Sequence, residues 1–204
     1  MANSVLAAGR APQIQELLDA LRGGFGDCLA EGSEDAAFVE RLFSTLASPA
    51  LPSRTFDGNR FEASGSFKPA LDALHDAPPS LQRVGQALAA LEPLMPWSQR
   101  RYDGPDAARF AAGHANALII GSGGMEDRED IRVGVSLMAP HVRYPDHSHP
   151  PDELYLVLSE GEWRRAEGDW FRPGVGGTVR NPPGIVHAMR SGPAPLLAVW
   201  ALIA

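Results

Sequence analysis

Four side chains near the C-terminal end have the types and spacing of a metal site: His147, His149, Glu153 and His187. They sit in the runs Tyr144-Pro-Asp-His147-Ser-His149-Pro-Pro-Asp-Glu153-Leu-Tyr155 and Pro182-Pro183-Gly184-Ile-Val-His187. On a β-strand, residues two apart share a face, so His147 and His149 can both point into a barrel. Beyond the turn enforced by Pro150-Pro151, Glu153 opens a further strand with Tyr155 on the same face, and His187 returns on a strand across the barrel. Three imidazoles and one carboxylate bind a divalent first-row ion and leave one or two coordination positions open. Closed structural zinc sites are usually built with cysteine, which this set lacks. The ligand set therefore points to an exchangeable, catalytic metal, with iron, manganese, zinc, nickel and cobalt all compatible.

Other residues that could attract attention have plainer explanations. His75, His114 and His141 are isolated and read as packed or surface histidines. The GSGG at 121–124 is not followed by Lys-Ser/Thr or a helix start, so it reads as a hairpin turn and not a phosphate loop. Cys28 is the one cysteine; it precludes an intrachain disulfide and reads as a small packing residue. The run from Glu126 to Arg132 (EDREDIR) alternates in sign and reads as a solvated turn or strand edge.

The elements that must position the four ligands change character near Trp97. Upstream, apolar residues recur at helical spacing: Ile14, Leu17 and Leu21, then Phe38, Leu42 and Leu46, then Leu81, Val84, Leu88 and Leu91. Gly23-Gly24 is expected to end the first helix, Pro49 and Pro52 to follow the second, and Pro78-Pro79-Ser80 to open the last, closed by Pro93 and Pro96. A shorter helix fits Lys68 to Asp76, making about four in all. After residue 112 come about eight short apolar runs divided by Gly and Pro, among them Leu118–Ile120, Ile131–Met138, Leu154–Leu158, Ile185–Met189 and Leu196–Ile203. That pattern predicts a mainly β chain with one small antiparallel barrel able to hold a ligand in its mouth. The expected division is 1–96, a helical region packing on the barrel, and 97–204, the barrel with its metal site. The helices are most simply a cap on one side; as a functional alternative they close over the mouth as a lid.

With 204 residues, 44% hydrophobic, and a formal charge of −7, the chain has enough apolar material for one generous domain. No basic stripe of the kind that faces a phosphate backbone is present, so nucleic acid is not an expected partner. The longest apolar runs are far too short to span a bilayer, and the N-terminal MANSVLAAGRAPQIQ lacks the pattern of a signal peptide. A cytoplasmic protein, monomer or homodimer, with no membrane partner is the expectation.

The two motifs resemble those of the cupin fold, a double-stranded β-helix: HxH-xxx-E, then Gly176, Pro182, Gly184 and His187. The usual opening glycine of the first motif is His141 here, its closing glycine is displaced to Gly161, and the final Asn of the second is Ser191. A narrower resemblance rests on Gly113-His-Ala-Asn-Ala117, Ile120-Gly-Ser-Gly-Gly124 and Tyr144–Leu158 (YPDHSHPPDELYLVL). These stretches look like the bacterial dimethylsulfoniopropionate (DMSP) lyases of the cupin type, in the short DddQ-like form with a helical N-terminal region. The likeness covers residues 97–204; the helical half matches in style and length only.

That resemblance implies cleavage of the small zwitterion DMSP to dimethyl sulfide and acrylate, with His147, His149, Glu153 and His187 on one divalent transition metal. It also implies that Tyr155 acts as the base and that Tyr144 has a catalytic role. The chemistry agrees. A carboxylate is a poor acidifier of its own α-hydrogen, so elimination needs a cation at the developing charge. Free tyrosine has a pKa of about 10, and a nearby cation favours phenolate. Aromatic faces attract a sulfonium, and Trp97, Tyr102, Tyr144, Trp163, Trp170 and Trp200 are the aromatic residues available for that wall. Trp163 and Trp170-Phe171 are read first as core or barrel wall. Two alternatives stay open: a related cupin metalloenzyme (dioxygenase, isomerase or other lyase) acting on a different small carboxylate, and a non-enzymatic cupin that binds a metabolite.

Overall fold

The computed structural model describes residues 9–48 and 60–203. The expected helix stop at Pro49 and Pro52 lies outside the described residues. Helices α1 (Pro12–Cys28), α2 (Glu34–Leu46), α3 (Phe67–Asp72) and α4 (Pro79–Leu91) precede all the described strands, and a short α5 (Ala107–Gly113) follows the first of them. Ser33 caps α2, its hydroxyl accepting from the Ala36 N–H at 3.1 Å. Pro79 opens α4 at a position where its missing N–H costs nothing.

Gly23 and Gly24 do not end α1, which runs on to Cys28. A Cβ on Gly24 would meet Val84 Cγ2 at 3.1 Å and Leu81 Cδ2 at 3.5 Å. The glycine is there to let α1 lie close against α4, and the packing gained outweighs its weak helix propensity. The short helix expected from Lys68 begins at Phe67, preceded by a 3₁₀ turn at Glu62–Ser66. Among the described residues, no helix is long and apolar enough to cross a membrane.

The strands are β1 (Trp97–Ser98), β2 (His114–Ile120), β3 (Ile131–Met138), β4 (Arg143–His147), β5 (Asp152–Val157), β6 (Glu162–Arg165), β7 (Thr178–Asn181), β8 (His187–Arg190) and β9 (Leu196–Ile203). They form a six-stranded sheet in the order β1-β2-β3-β9-β5-β7 and a three-stranded sheet in the order β4-β8-β6, antiparallel throughout. This two-sheet, antiparallel arrangement preceded by helices is a cupin fold with a helical N-terminal region. The loop 121–130 joins β2 to β3, and Gly124 N–H closes onto Gly121 O at 2.8 Å, so GSGG is a turn within a hairpin connection.

The large sheet is buried on both faces, which explains why β3, β5 and β9 are nearly continuous apolar runs. One face (Ala117, Val133, Val135, Leu156, Leu197, Val199) packs into a core shared with Ile14, Leu21, Phe38, Leu88 and other helical residues. The opposite face turns Met138, Tyr155, Val157, Val179, Leu196 and Ala198 toward Tyr144, Trp163 and Met189 of the small sheet. The helices therefore cover the outer face of the sheet, and the second core is the barrel interior.

The EDREDIR segment exposes Glu129, Asp130 and Arg132, but two of its charges are not solvated. Glu126 is fully buried and Arg128 nearly so. Arg10 Nε lies 2.5 Å from Glu126 Oε2, Arg128 Nη1 3.4 Å from Glu126 Oε1, and Arg128 pairs with Asp130 at 2.8 Å. Both guanidinium groups also donate to carbonyls at the C-terminal end of α2: Arg10 to Leu46, and Arg128 to Thr45 and Ser48. Alternating charge identifies ionic residues but cannot say whether their partners are water or other parts of the chain.

Candidate metal centre and its pocket

The site lies where β4, β5 and β8 meet inside the barrel. His147 pairs with His187 across β4 and β8, and Glu153 faces Asn181 across β5 and β7. The strand carrying the first histidine ends there, with a register irregularity between Tyr144 and His147. His149 is thus in the following loop and not, as expected, on the same strand as His147. Its loop is tied down by Gly184 N–H donating to His149 O at 2.9 Å. Gly184, at φ 75°, provides the left-handed turn before β8. His141, which stands where the cupin pattern has glycine, also takes a left-handed φ of 59°.

Each imidazole in the constellation is oriented through Nδ1 by a backbone carbonyl two residues away: His147 by Pro145 at 2.9 Å, His149 by Pro151 at 3.0 Å and His187 by Ile185 at 3.0 Å. A carbonyl can only accept, so each Nδ1 carries the hydrogen and each Nε2 keeps its lone pair. The Nε2 atoms of His149 and His187 both lie 3.2 Å from Glu153 Oε2. Both are buried without a hydrogen bond of acceptable direction. One donor atom from each of His149, Glu153 and His187 falls within 4.8 Å of the others. Two lone pairs and a carboxylate oxygen converging in a buried place repel one another unless a cation or proton lies between them. Nitrogen and oxygen donors at this separation can close on an ion at about 2.0–2.2 Å with small side-chain shifts. The donor set fits a metal.

His147 is adjacent to this cluster but not part of it. Its ring centroid is 4.1 Å from that of His187 and 6.2 Å from that of His149. Burial, the neighbouring His187 and the Arg100 charge bring its pKa down to about 4, so it is neutral above that. Glu153 is 3% exposed; burial works against its charge, but the adjacent His149 and His187 rings and the hydrogen bond from Asn181 bring its pKa down to about 2. The Glu153 carboxylate in turn raises the pKa of His149.

The two candidate catalytic tyrosines line the same cavity of about 220 Å³ as His147, His149 and Glu153. Burial, followed by the Glu153 charge, pushes the Tyr155 phenol well above its ordinary value. Tyr144 is nearly buried, its ring 4.8 Å from that of His147 and its hydroxyl accepting from Asn116 Nδ2 at 3.3 Å. Ser136 Oγ holds the other end of Asn116, donating to Oδ1 at 2.7 Å.

Of the six aromatic candidates for a sulfonium wall, Tyr144 and Trp200 line this cavity. Trp97 and Trp163 are buried in the two cores, and Tyr102 packs edge-on against Phe110. Trp170 carries Arg143, Arg164 and Arg190 over its ring, 4.2–5.8 Å from the centroid. Gly134 makes room for the Trp200 indole, since a Cβ there would collide with that ring and with Ala117 O.

Sequence reasoning missed Asn181, Asn116, Ser136, Arg100 and Arg132. Asn181 Nδ2 donates to Glu153 Oε2 at 2.8 Å, and the others line the cavity. A polar residue inside a barrel strand was the available signal for Asn116, Ser136 and Asn181. His114 is structural: Nδ1–H donates to Phe110 O, Nε2 accepts from Arg100 N–H at 2.9 Å, and the ring stacks on Phe110 with centroids 3.6 Å apart. None of the described residues of 9–96 lines the cavity.

The chain is similar to known proteins in sequence and in fold. DddL of Cereibacter sphaeroides is 29% identical over 123 residues, 60% of this chain and 51% of that protein. The dimethylsulfoniopropionate lyase DddQ of Ruegeria pomeroyi is 32% identical over 93 residues, 45% of this chain and 46% of that one. The chain spans about half the length of the curated relatives it matches. In fold, the crystal structure of DMSP lyase DddQ from Ruegeria pomeroyi matches with a TM-score of 0.71 at 24% identity, covering 96% of this chain and 93% of that one. The family model for dimethylsulfoniopropionate lyase matches residues 34–198, and the chain belongs to that family.

Proposed function

We propose that this protein cleaves DMSP to dimethyl sulfide and acrylate, using a divalent transition metal held by His149, Glu153 and His187. His147 is the fourth donor in this reading: its Nδ1–H is committed to Pro145 O, and its ring lies against His187. The metal would act as a Lewis acid toward the negative charge that grows on the substrate carboxylate. The observation that carries the reading is that Tyr155 lines the same cavity as this donor set and faces the Glu153 carboxylate.

Tyr155, as phenolate, takes a proton from the carbon next to the carboxylate. The C–H electron pair becomes the new C=C bond, and the C–S pair leaves on sulfur as neutral dimethyl sulfide. Acrylate remains, and the proton on Tyr155 passes to solvent. Burial and Glu153 oppose the phenolate, so Tyr155 needs positive charge close by. A metal held by His149, Glu153 and His187 would offset the Glu153 charge and so favour the phenolate. Tyr144, fixed by Asn116 and Ser136, presents a second hydroxyl to the cavity. The Trp200 face receives the sulfonium, for which a π-surface is a better neighbour than a second cation. The described helices of residues 9–96 act in this reading as a buttress on the outer face of the barrel formed by the strands from 97 to 203.

The test is direct. Purified protein loaded in turn with iron, manganese, zinc, nickel or cobalt is incubated with DMSP, and dimethyl sulfide and acrylate are followed. Metal-dependent release of both is expected; no product at millimolar substrate with any of the metals refutes the proposal.

A further inference from the structure

The cavity is lined by positive charge that has no acidic partner among the described residues. Arg100 and Arg132 both line it. Several other arginines are matched, among them Arg143 and Arg164, which share Asp146, Arg180, which holds Asp152 and Glu34, and Arg190 and Arg172, which share Glu162; Arg22, Arg83, Arg101, Arg109 and Arg165 form no ion pair among the described residues. Neither Arg100 nor Arg132 has an acidic partner among the described residues. The carboxylate inside the cavity, Glu153, is already committed to His149, His187 and Asn181.

The two arginines approach from different sides. Arg132 lies on β3 opposite Leu202 of β9, which in turn faces Glu153 of β5, so it stands on the ligand side of the opening. Arg100 follows β1 and comes in beside Tyr144, its guanidinium carbon 5.8 Å from that ring centroid. Its backbone is fixed by the buried His114, whose Nε2 accepts the Arg100 N–H. On a chain with a formal charge of −7, both arginines stand at the cavity that His149 and Glu153 of the metal-compatible donors also line.

We propose that Arg100, seated by His114, is the carboxylate anchor of this pocket, and that Arg132 draws anions to its rim. The proposal deepens the lyase reading and rests on it for the identity of the substrate, though not for the chemistry recognised. A planar guanidinium matches a carboxylate with two parallel N–H···O bonds. A zwitterion held this way keeps its sulfonium away from Arg100, which leaves Trp200 as the face for the cationic end. The same guanidinium would also lie near the charge that builds up on the carboxylate during proton removal.

Propionate and propionamide test this, because they share a shape and differ in charge. Their binding to metal-loaded wild type, Arg100→Gln, Arg100→Lys and Arg132→Gln is compared by ligand-observed NMR, with metal content and melting temperature measured on each. Wild type should prefer propionate, and Arg100→Gln should lower that preference about tenfold or more at unchanged metal content. Arg100→Lys should fall between, since it keeps the charge but loses the fork, and Arg132→Gln should weaken propionate less. With DMSP, Arg100→Gln should raise KM by a similar factor. Equal preference in wild type and Arg100→Gln overturns the anchor even if DMSP is cleaved. A preference that Arg100→Gln abolishes, in a protein that leaves DMSP intact, upholds the anchor and refutes the lyase reading instead.

Discussion

Asn181 donates through Nδ2 to Glu153 Oε2 at 2.8 Å, from directly across the β5–β7 ladder, and both side chains are buried. That bond fixes which way the carboxylate turns toward the two histidines. Replacing Asn181 with Leu keeps the volume near its present value and deletes the donor. Metal affinity should fall by about 10–100-fold, the usual loss when a partner of a ligand is removed. Competition against a chelator measures it, and an unchanged affinity would remove Asn181 from this role.

Tyr155→Phe should lower turnover of DMSP by about 10²–10⁴-fold, as expected for loss of a general base. Metal content and melting temperature should stay close to wild type, because the ring still fills the same space between Val179 and Trp200. A variant that keeps most of its activity rules the phenol out as base.

His187→Ala should lose both metal and activity, because it removes one of the three donors that already converge. His147→Ala should lose less metal, because its ring lies outside that cluster. Elemental analysis of the two purified variants gives the order, and a full metal complement in His187→Ala contradicts the ligand assignment.

In metal-stripped protein, stability should fall as pH drops from above 6.5 toward 4. The folded pKa of His147 is lowered to about 4, so the unfolded chain binds the proton more tightly throughout that window. The sign follows from linkage: stability is complete above the unfolded value and lost on acidification. The loss from this group is at most about 3 kcal/mol. His149, whose pKa is raised by Glu153, works in the opposite direction. Urea unfolding at pH 7 and pH 4.5 should therefore show a smaller acid loss for His147→Gln than for wild type; an identical loss means that His147 is not the group responsible.

The elements were readable because hydrophobic period is local. The 3.6-residue spacing of Ile14, Leu17 and Leu21 and the short runs at Ile131–Met138 and Leu196–Ile203 mark helix and strands whatever lies beside them. The ligand types were readable for a similar reason, since imidazole and carboxylate carry their donor atoms in their own side chains, whereas the role expected of Tyr155 came from the family resemblance. Gly24 shows the limit. As a sequence symbol it marks a helix end, yet α4 packs so close to it that the helix continues.

What tertiary structure alone decided is which groups meet. Glu126 reads as a surface charge until Arg10 and Arg128 arrive from over a hundred residues away and from within its own loop to bury it. His114 and His187 are both histidines beside barrel strands; one finds Phe110 O and Arg100 N–H, and the other finds a carboxylate and a second imidazole. Sequence determined the inventory of donors, acids and aromatic faces. The antiparallel register of β5 against β7 and β9, and of β4 against β8, decided which of them share a cavity, because pairing across a sheet depends on partners distant in the chain and on burial that no single segment specifies.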